Sequence, residues 1–266
     1  FNPHEIKGSR SWIVMGPLRL QPAEFAKFAT ALAAAKFMGR YTFNMHKWKD
    51  FAIAIAIVVL PMIFIIGQKE TGSALVYFSF FLMFYREGMP GSVLFTGVAM
   101  VVYFVVGIKY EAVMLSGTPT SVGKFIVLLL VQLSSIGMIH AYCKEKQMVR
   151  QLLALTIGTT VLAFLFAKFV IPFNIVIAQI ILSVLLILYF IYNWLHTRIH
   201  NYLYIALFSI GSIAFFYSAD YVLNNVMEPH QRVRINVLLG LDEDLSGAGY
   251  NVHQSEIAIG SGGLKG

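Results

Sequence analysis

Two stretches decide what this chain can fold into. No charged side chain occurs between Phe51 and Gly67, and 152–195 carries only Lys168. About 20 residues cross the hydrocarbon of a bilayer, so 152–195 is too long for one crossing. Pro172-Phe173-Asn174 divides it into an outward and an inward span. Composition excludes the alternative, a large soluble core: 58% of residues are hydrophobic and 12% charged, against about 45–50% and about 25% in soluble domains. The sequence therefore predicts an all-α, polytopic helical membrane protein.

The net charge of +7 is topological and is read connection by connection. Apolar segments fall at 23–38, 51–66, 73–85, 92–108, 125–142, twice within 152–195, and at 203–217, about eight spans. The basic connections 36–50, 143–151 and 196–200 are then all cytoplasmic, and the opening segment and residues 227–266 lie outside. The segment 73–85 is short enough to be re-entrant instead. No basic run with interleaved aromatics points to nucleic acid. Cys143 is alone, which excludes an intrachain disulfide and a cysteine metal cluster. The chain begins at Phe1 and ends in a glycine-rich run, and reads as an internal fragment of a longer protein. It shows no soluble domain and no fixed-period repeat.

The chemistry-bearing residues are few. Asp242, Glu243 and Asp244 open a polar stretch continuing through Gly247, Gly249, Gln254, Ser255, Gly260 and Gly262. Asp and Gly also build ordinary turns. Gln231, Arg232 and Arg234 precede the acids, and cations beside carboxylates at an outer surface suit a phosphate-bearing lipid. Glu24 and Lys27, three apart, share a helix face and can pair, and ionisable residues in a membrane helix are candidate functional groups. Glu70 is either a helix-terminal acid or a further cavity residue. His196 and His200 have metal-ligand spacing, but no third ligand lies beside them. No GxxxxGK[ST] pattern occurs, and His253 near Ser255 is not by itself a nucleophile–base pair.

The order of these elements resembles the SEDS family (shape, elongation, division and sporulation). Gly8-Ser-Arg-Ser-Trp12-Ile13, Gln21-Pro-Ala-Glu24-Phe-Ala-Lys27 and Gln68-Lys-Glu70-Thr-Gly72-Ser-Ala-Leu75 resemble three consecutive motifs. Gln231-Arg-Val-Arg234 through Asp244-Leu-Ser-Gly247-Ala-Gly249-Tyr250 to Gln254-Ser255 and Ile257-Ala-Ile-Gly-Ser-Gly-Gly-Leu264 resembles the fourth. The last wording is closer to the elongation branch than to the division branch.

The resemblance implies a peptidoglycan glycosyltransferase of the bacterial cytoplasmic membrane that polymerises lipid II. Its implied partners are a class B penicillin-binding protein and other cell-wall elongation proteins. It implies Asp244 as general base in an extracytoplasmic catalytic loop, 227–266. Arg234, with Arg10 and Lys27, would supply positive charge for the diphosphate. Gln231, Gln254, Ser255, Glu24 and Glu70 are implied as further substrate-binding positions. No protein metal ligands are implied; any cofactor is left open, a divalent cation included.

Four departures accompany it: Glu70 where Asp is usual, His230-Gln231 for Tyr-Gln, Leu245 for Pro, and about four extra spans within 109–217, which read as inserted. By physics alone, a flippase or transporter of lipid-linked precursor, or a non-catalytic cell-wall scaffold, fits the same features.

Overall fold

The computed structural model describes residues 13–15, 18–68, 70–115, 117–227, 229–241 and 250–262. Its contacts divide the chain into two compact units, Phe1–Gly97 and Val98–Gly266. Helix is the expected answer in lipid, because backbone N–H and C=O groups must be satisfied within the segment.

The first unit opens with a small antiparallel hairpin, β1 (Ile13–Met15) on β2 (Leu18–Leu20), with Ile13 opposite Leu20. This hairpin was not legible as such in the sequence. Gln21 is extended, as a residue before proline should be, and Pro22 starts α1 (Pro22–Met38). Pro is suited to a first helical position, where its missing N–H costs nothing. The basic connection that follows is tied to the next helix: Asp50 Oδ2 accepts from Asn44 N at 3.0 Å, and Asn44 Oδ1 accepts from His46 N at 2.9 Å. α2 (Trp48–Gly67) is uncharged beyond its first turn and contains Pro61.

The segment expected as a short span at 73–85 is a broken helix. It comprises α3 (Thr71–Leu75), one 3₁₀ turn (Val76–Phe78) and α4 (Ser79–Arg86). It nevertheless runs back along the depth of α2. α3 begins just past the far end of α2, while after α4 a Cβ on Gly88 would lie 3.5 Å from His46 Cε1, just before α2 begins. Met45 and Met89 are both buried there. The core of this unit joins Ala23, Phe37, Ala54, Val58, Tyr77 and Phe84.

α5 (Gly91–Lys109) begins in the first unit and ends in the second. The second unit continues with α6 (Val122–Met138), which a π turn extends through Cys143, and with α7 (Lys146–Phe169). α8 (Ile175–Thr197) and α9 (His200–Tyr221) follow. The break at Pro172-Phe173-Asn174 is realised as the sequence predicts. Asn174 Oδ1 caps α8 by accepting from Val176 N at 3.0 Å, a favoured N-cap arrangement. α6, α8 and α9 pack on one another around Ile136, Leu182, Leu186, Phe190, Tyr202 and Ile205.

Among the described residues, 6 helices are long and apolar enough to cross a membrane: α2, α5, α6 with its π turn, α7, α8 and α9. α1, with 17 residues, and the broken 71–86 segment occupy the other two positions read as spans. The chain is thus an all-α polytopic membrane protein, and the four spans expected within 109–217 are helices.

The 227–266 segment differs from the sequence reading, which took it as one polar loop. It contains α10 (Pro229–Leu239) and α11 (Tyr250–Gly262). α10 stops at Gly240, whose φ of 70° is open to glycine at little cost. Gly240 N donates to Val237 O at 3.0 Å and Leu241 N to Asn236 O at 2.8 Å, a Schellman termination.

Candidate functional site

In the first unit the structure brings two of the sequence motifs into contact. Glu70 occupies the position just before α3, without a side-chain cap bond to the helix, and is buried, 8% exposed. Gln21 sits immediately before α1, and its Nε2 donates to both Glu70 carboxylate oxygens at 2.7 Å. The second and third motifs, 49 residues apart in sequence, therefore meet side chain to side chain. One turn further along α1, Lys27 Nζ lies 2.7 Å from Glu24 Oε1. That pairing matches the three-residue spacing, but the pair is not deeply desolvated: Lys27 is 21% and Glu24 55% exposed. Such a pair contributes little stability, on the order of 0.2–1 kcal/mol, so its value lies in the charges it presents.

Gln21 itself was not singled out beforehand. The signal was its extended, pre-proline position, which fixes its side chain at the helix end where Glu70 arrives. A carboxylate at 8% exposure depends on its donors, and hydrogen bonds to charged groups contribute about 1.5–3 kcal/mol. Gln21→Leu is therefore expected to lower stability by about that amount, read as a lower midpoint of thermal unfolding. An unchanged midpoint would show that this contact does not hold Glu70.

In the second unit the candidates stand on α10 and α11. Gln231 lies partly buried on α10, and Gln254 and Ser255 are exposed on α11. Arg234 belongs to α10, with its side chain outside the described residues; Asp244 and Arg10 lie outside them altogether. Neighbouring Arg232 Nε donates to Leu223 O at 3.1 Å, tying α10 to the turn beyond α9.

A charged group that sequence reasoning missed lies where α9 leads towards α10. Lys124 Nζ, at the start of α6, is 3.1 Å from Glu111 Oε1 and 3.9 Å from Asp220 Oδ2. Its members come from three separate interhelical ends, so no local spacing announces it. His196 and His200 do not share a helix face: His196 ends α8, stacked on Tyr192, whereas Arg198 takes a left-handed φ of 60° and His200 begins α9. Among the described residues no three His, Cys, Asp or Glu side chains gather as metal ligands.

Comparison with known proteins points the same way as the motifs. The model of the FtsW/RodA/SpoVE cell cycle proteins matches residues 2–118. Peptidoglycan glycosyltransferase RodA of Treponema pallidum (strain Nichols) is 26% identical over 261 residues, 98% of this chain and 50% of that protein. The chain is similar to the FtsW/RodA/SpoVE proteins, the SEDS family, over residues 2–118 and to RodA of Treponema over nearly all of its length. Peptidoglycan glycosyltransferase MrdB of Escherichia coli (strain K12) is 29% identical over 100 residues, 37% of this chain and 27% of that protein. The probable peptidoglycan glycosyltransferase FtsW of Aeromonas salmonicida (strain A449) is 30% identical over 112 residues, 40% of this chain and 28% of that protein. This chain thus spans about half the length of the Treponema relative and less of the others. No solved structure matches.

The family match takes in the first three motifs, including the Gln21–Glu70 contact. The fourth, on α10 and α11, falls beyond it but within the alignment to the Treponema RodA, given its 98% coverage.

Proposed function

We propose that the protein is a peptidoglycan glycosyltransferase that polymerises lipid II into glycan strands during cell-wall elongation. The observation that carries this reading is the meeting of two SEDS motifs at Gln21 and Glu70, at the helix ends the topology assigns to the outer face. Support for the elongation branch comes from the RodA relative, aligned over 98% of the chain, and from the Ile257–Leu264 wording.

The 4-hydroxyl of the acceptor sugar attacks the anomeric carbon of the donor. Asp244 takes the hydroxyl proton as the new glycosidic bond forms. The bond to undecaprenyl diphosphate breaks, and the negative charge on the departing diphosphate needs fixed positive charge nearby. Arg234 supplies it by charge-assisted hydrogen bonds, with Lys27 and Arg10 as further cations. Gln231, Gln254, Ser255, Glu24 and Glu70 orient the sugars. Any divalent cation would act on the diphosphate as an additional positive charge.

In this reading the connections 36–50, 143–151 and 196–200 face the cytoplasm, the helices sit in the bacterial cytoplasmic membrane, and 227–266 works outside it. The helices of 109–217 are additions within the family's usual arrangement. A class B penicillin-binding protein cross-links the product, in company with other elongation proteins.

The full-length protein, purified with such a partner and given lipid II, is expected to make glycan chains resolvable by gel. If it instead moves lipid II across liposome membranes and never joins two disaccharides, the polymerase reading fails and the protein is a flippase.

A further inference from the structure

At mid-span in the second unit, α6, α8 and α9 are joined by a polar seam that the proposed reaction does not use. Gln132, 2% exposed, lies midway along the α6 span. Its Nε2 donates to Gln179 O at 3.1 Å and to Ser183 Oγ at 2.9 Å. Ser183 in turn donates to Gln179 O at 2.8 Å. Three residues along α6, Ser135 Oγ meets Ser209 Oγ of α9 at 2.7 Å, and each hydroxyl also lies within reach of its own helix's carbonyl, Val131 O or Ile205 O.

Counting protons shows what is unmet. Both Gln132 amide hydrogens are used, and so is that of Ser183. Between Ser135 and Ser209, one hydroxyl donates to the other, which donates to its helix carbonyl. Among these side chains no donor is left over, whereas Gln132 Oε1 is buried and accepts from none of the described residues; the buried Ser212 Oγ of α9, also without a partner among the described residues, does not line the cavity at this point. A cavity of about 10 Å³ opens at this point, lined by Gln132, Ser135, Ser183 and Ser209 on its polar side and by Val131 and Phe190 among its apolar residues. A space of roughly 10–15 Å³ holds one water, provided at least two polar groups receive it.

We infer that this cavity is a binding site for a single water, which donates one hydrogen to Gln132 Oε1 and the other to a serine oxygen. An anion would need donors that are already spent. A cation would be stripped of hydration at mid-span with no carboxylate to compensate. The water completes the hydrogen bonding between spans where lipid offers no substitute.

Radiolytic hydroxyl labelling of the purified full-length protein tests this, because a bound water generates radicals beside otherwise inaccessible side chains. Phe190 is expected to be oxidised several-fold faster than Phe84, although both are 0% exposed. Gln132→Met removes the unmet acceptor without stranding a donor, and should bring Phe190 down to the Phe84 rate while the unfolding midpoint holds. Val131→Ile fills the space but keeps the acceptor, and should abolish the labelling and lower the midpoint. Equal rates for Phe190 and Phe84 in the unmodified protein, or labelling that survives Gln132→Met, would overturn the inference. So would a sodium-over-choline rise in midpoint that Gln132→Met removes, which would assign the cavity to a cation.

Discussion

Replacing Asp244 with alanine is expected to lower lipid II polymerisation by about 10²–10⁴-fold, the usual contribution of a positioned general base. The acceptor hydroxyl is a weak nucleophile at neutral pH, so the step depends on a base that takes its proton as the bond forms. Three acids stand together in the sequence, Asp242, Glu243 and Asp244, and the SEDS motif selects Asp244 by its spacing to Gly247-Ala-Gly249-Tyr250. Asp242→Ala should therefore leave the rate within a few-fold of the unmodified protein. Both variants should retain its unfolding midpoint, because neither side chain is assigned a packing role. The assay is glycan chain synthesis by the full-length protein together with the class B penicillin-binding protein proposed as its partner. Undiminished synthesis by Asp244→Ala would remove the base assignment, and equal losses in both variants would mean that the acids act as a field rather than as a base.

The spans were legible because lipid simplifies the code. Charge must leave the hydrocarbon, so Lys36, Arg86, Lys109 and Lys146 mark helix ends, and Pro172 with Asn174 marks the break between α7 and α8. Pairings within one helix were also legible, Glu24 with Lys27 being set by a three-residue spacing. Contacts between distant segments were not. Nothing local to Gln21 says that Glu70 will arrive beside it, and Lys124, Glu111 and Asp220 meet only once three helices are in place. α11 was missed for a different reason: Gly260 and Gly262 are poor helix formers, and its polar residues read equally well as a turn. α10 was hidden similarly, although Pro229 at its start and Gly240 just past its end are the punctuation a helix of that length should carry.

Gly123→Ala is expected to destabilise the protein by about 1–3 kcal/mol or more, and Gly137→Ala, on the same helix, to stabilise it by about 0.5–1 kcal/mol. A Cβ at Gly123 would overlap Gly107 O and come within 2.9 Å of Glu111 N and Tyr110 C. These are backbone atoms, and no side-chain rotation relieves them. The approach is also hydrogen-bonded, Gly123 N donating to Tyr110 O at 2.9 Å and Val122 N to Val113 O at 2.8 Å. A methyl group there must push α6 away from the end of α5 and strain both bonds. Around Gly137 nothing lies within 4 Å of an added Cβ, so alanine there only removes the conformational freedom glycine has in the unfolded chain. Helices in lipid gain no hydrophobic free energy by leaving apolar solvent for one another, and small residues that permit close approach take its place. The opposite signs expected for two identical substitutions, read from unfolding midpoints at one heating rate, separate that close approach from simple helix propensity: if propensity governed α6, both substitutions would raise the midpoint.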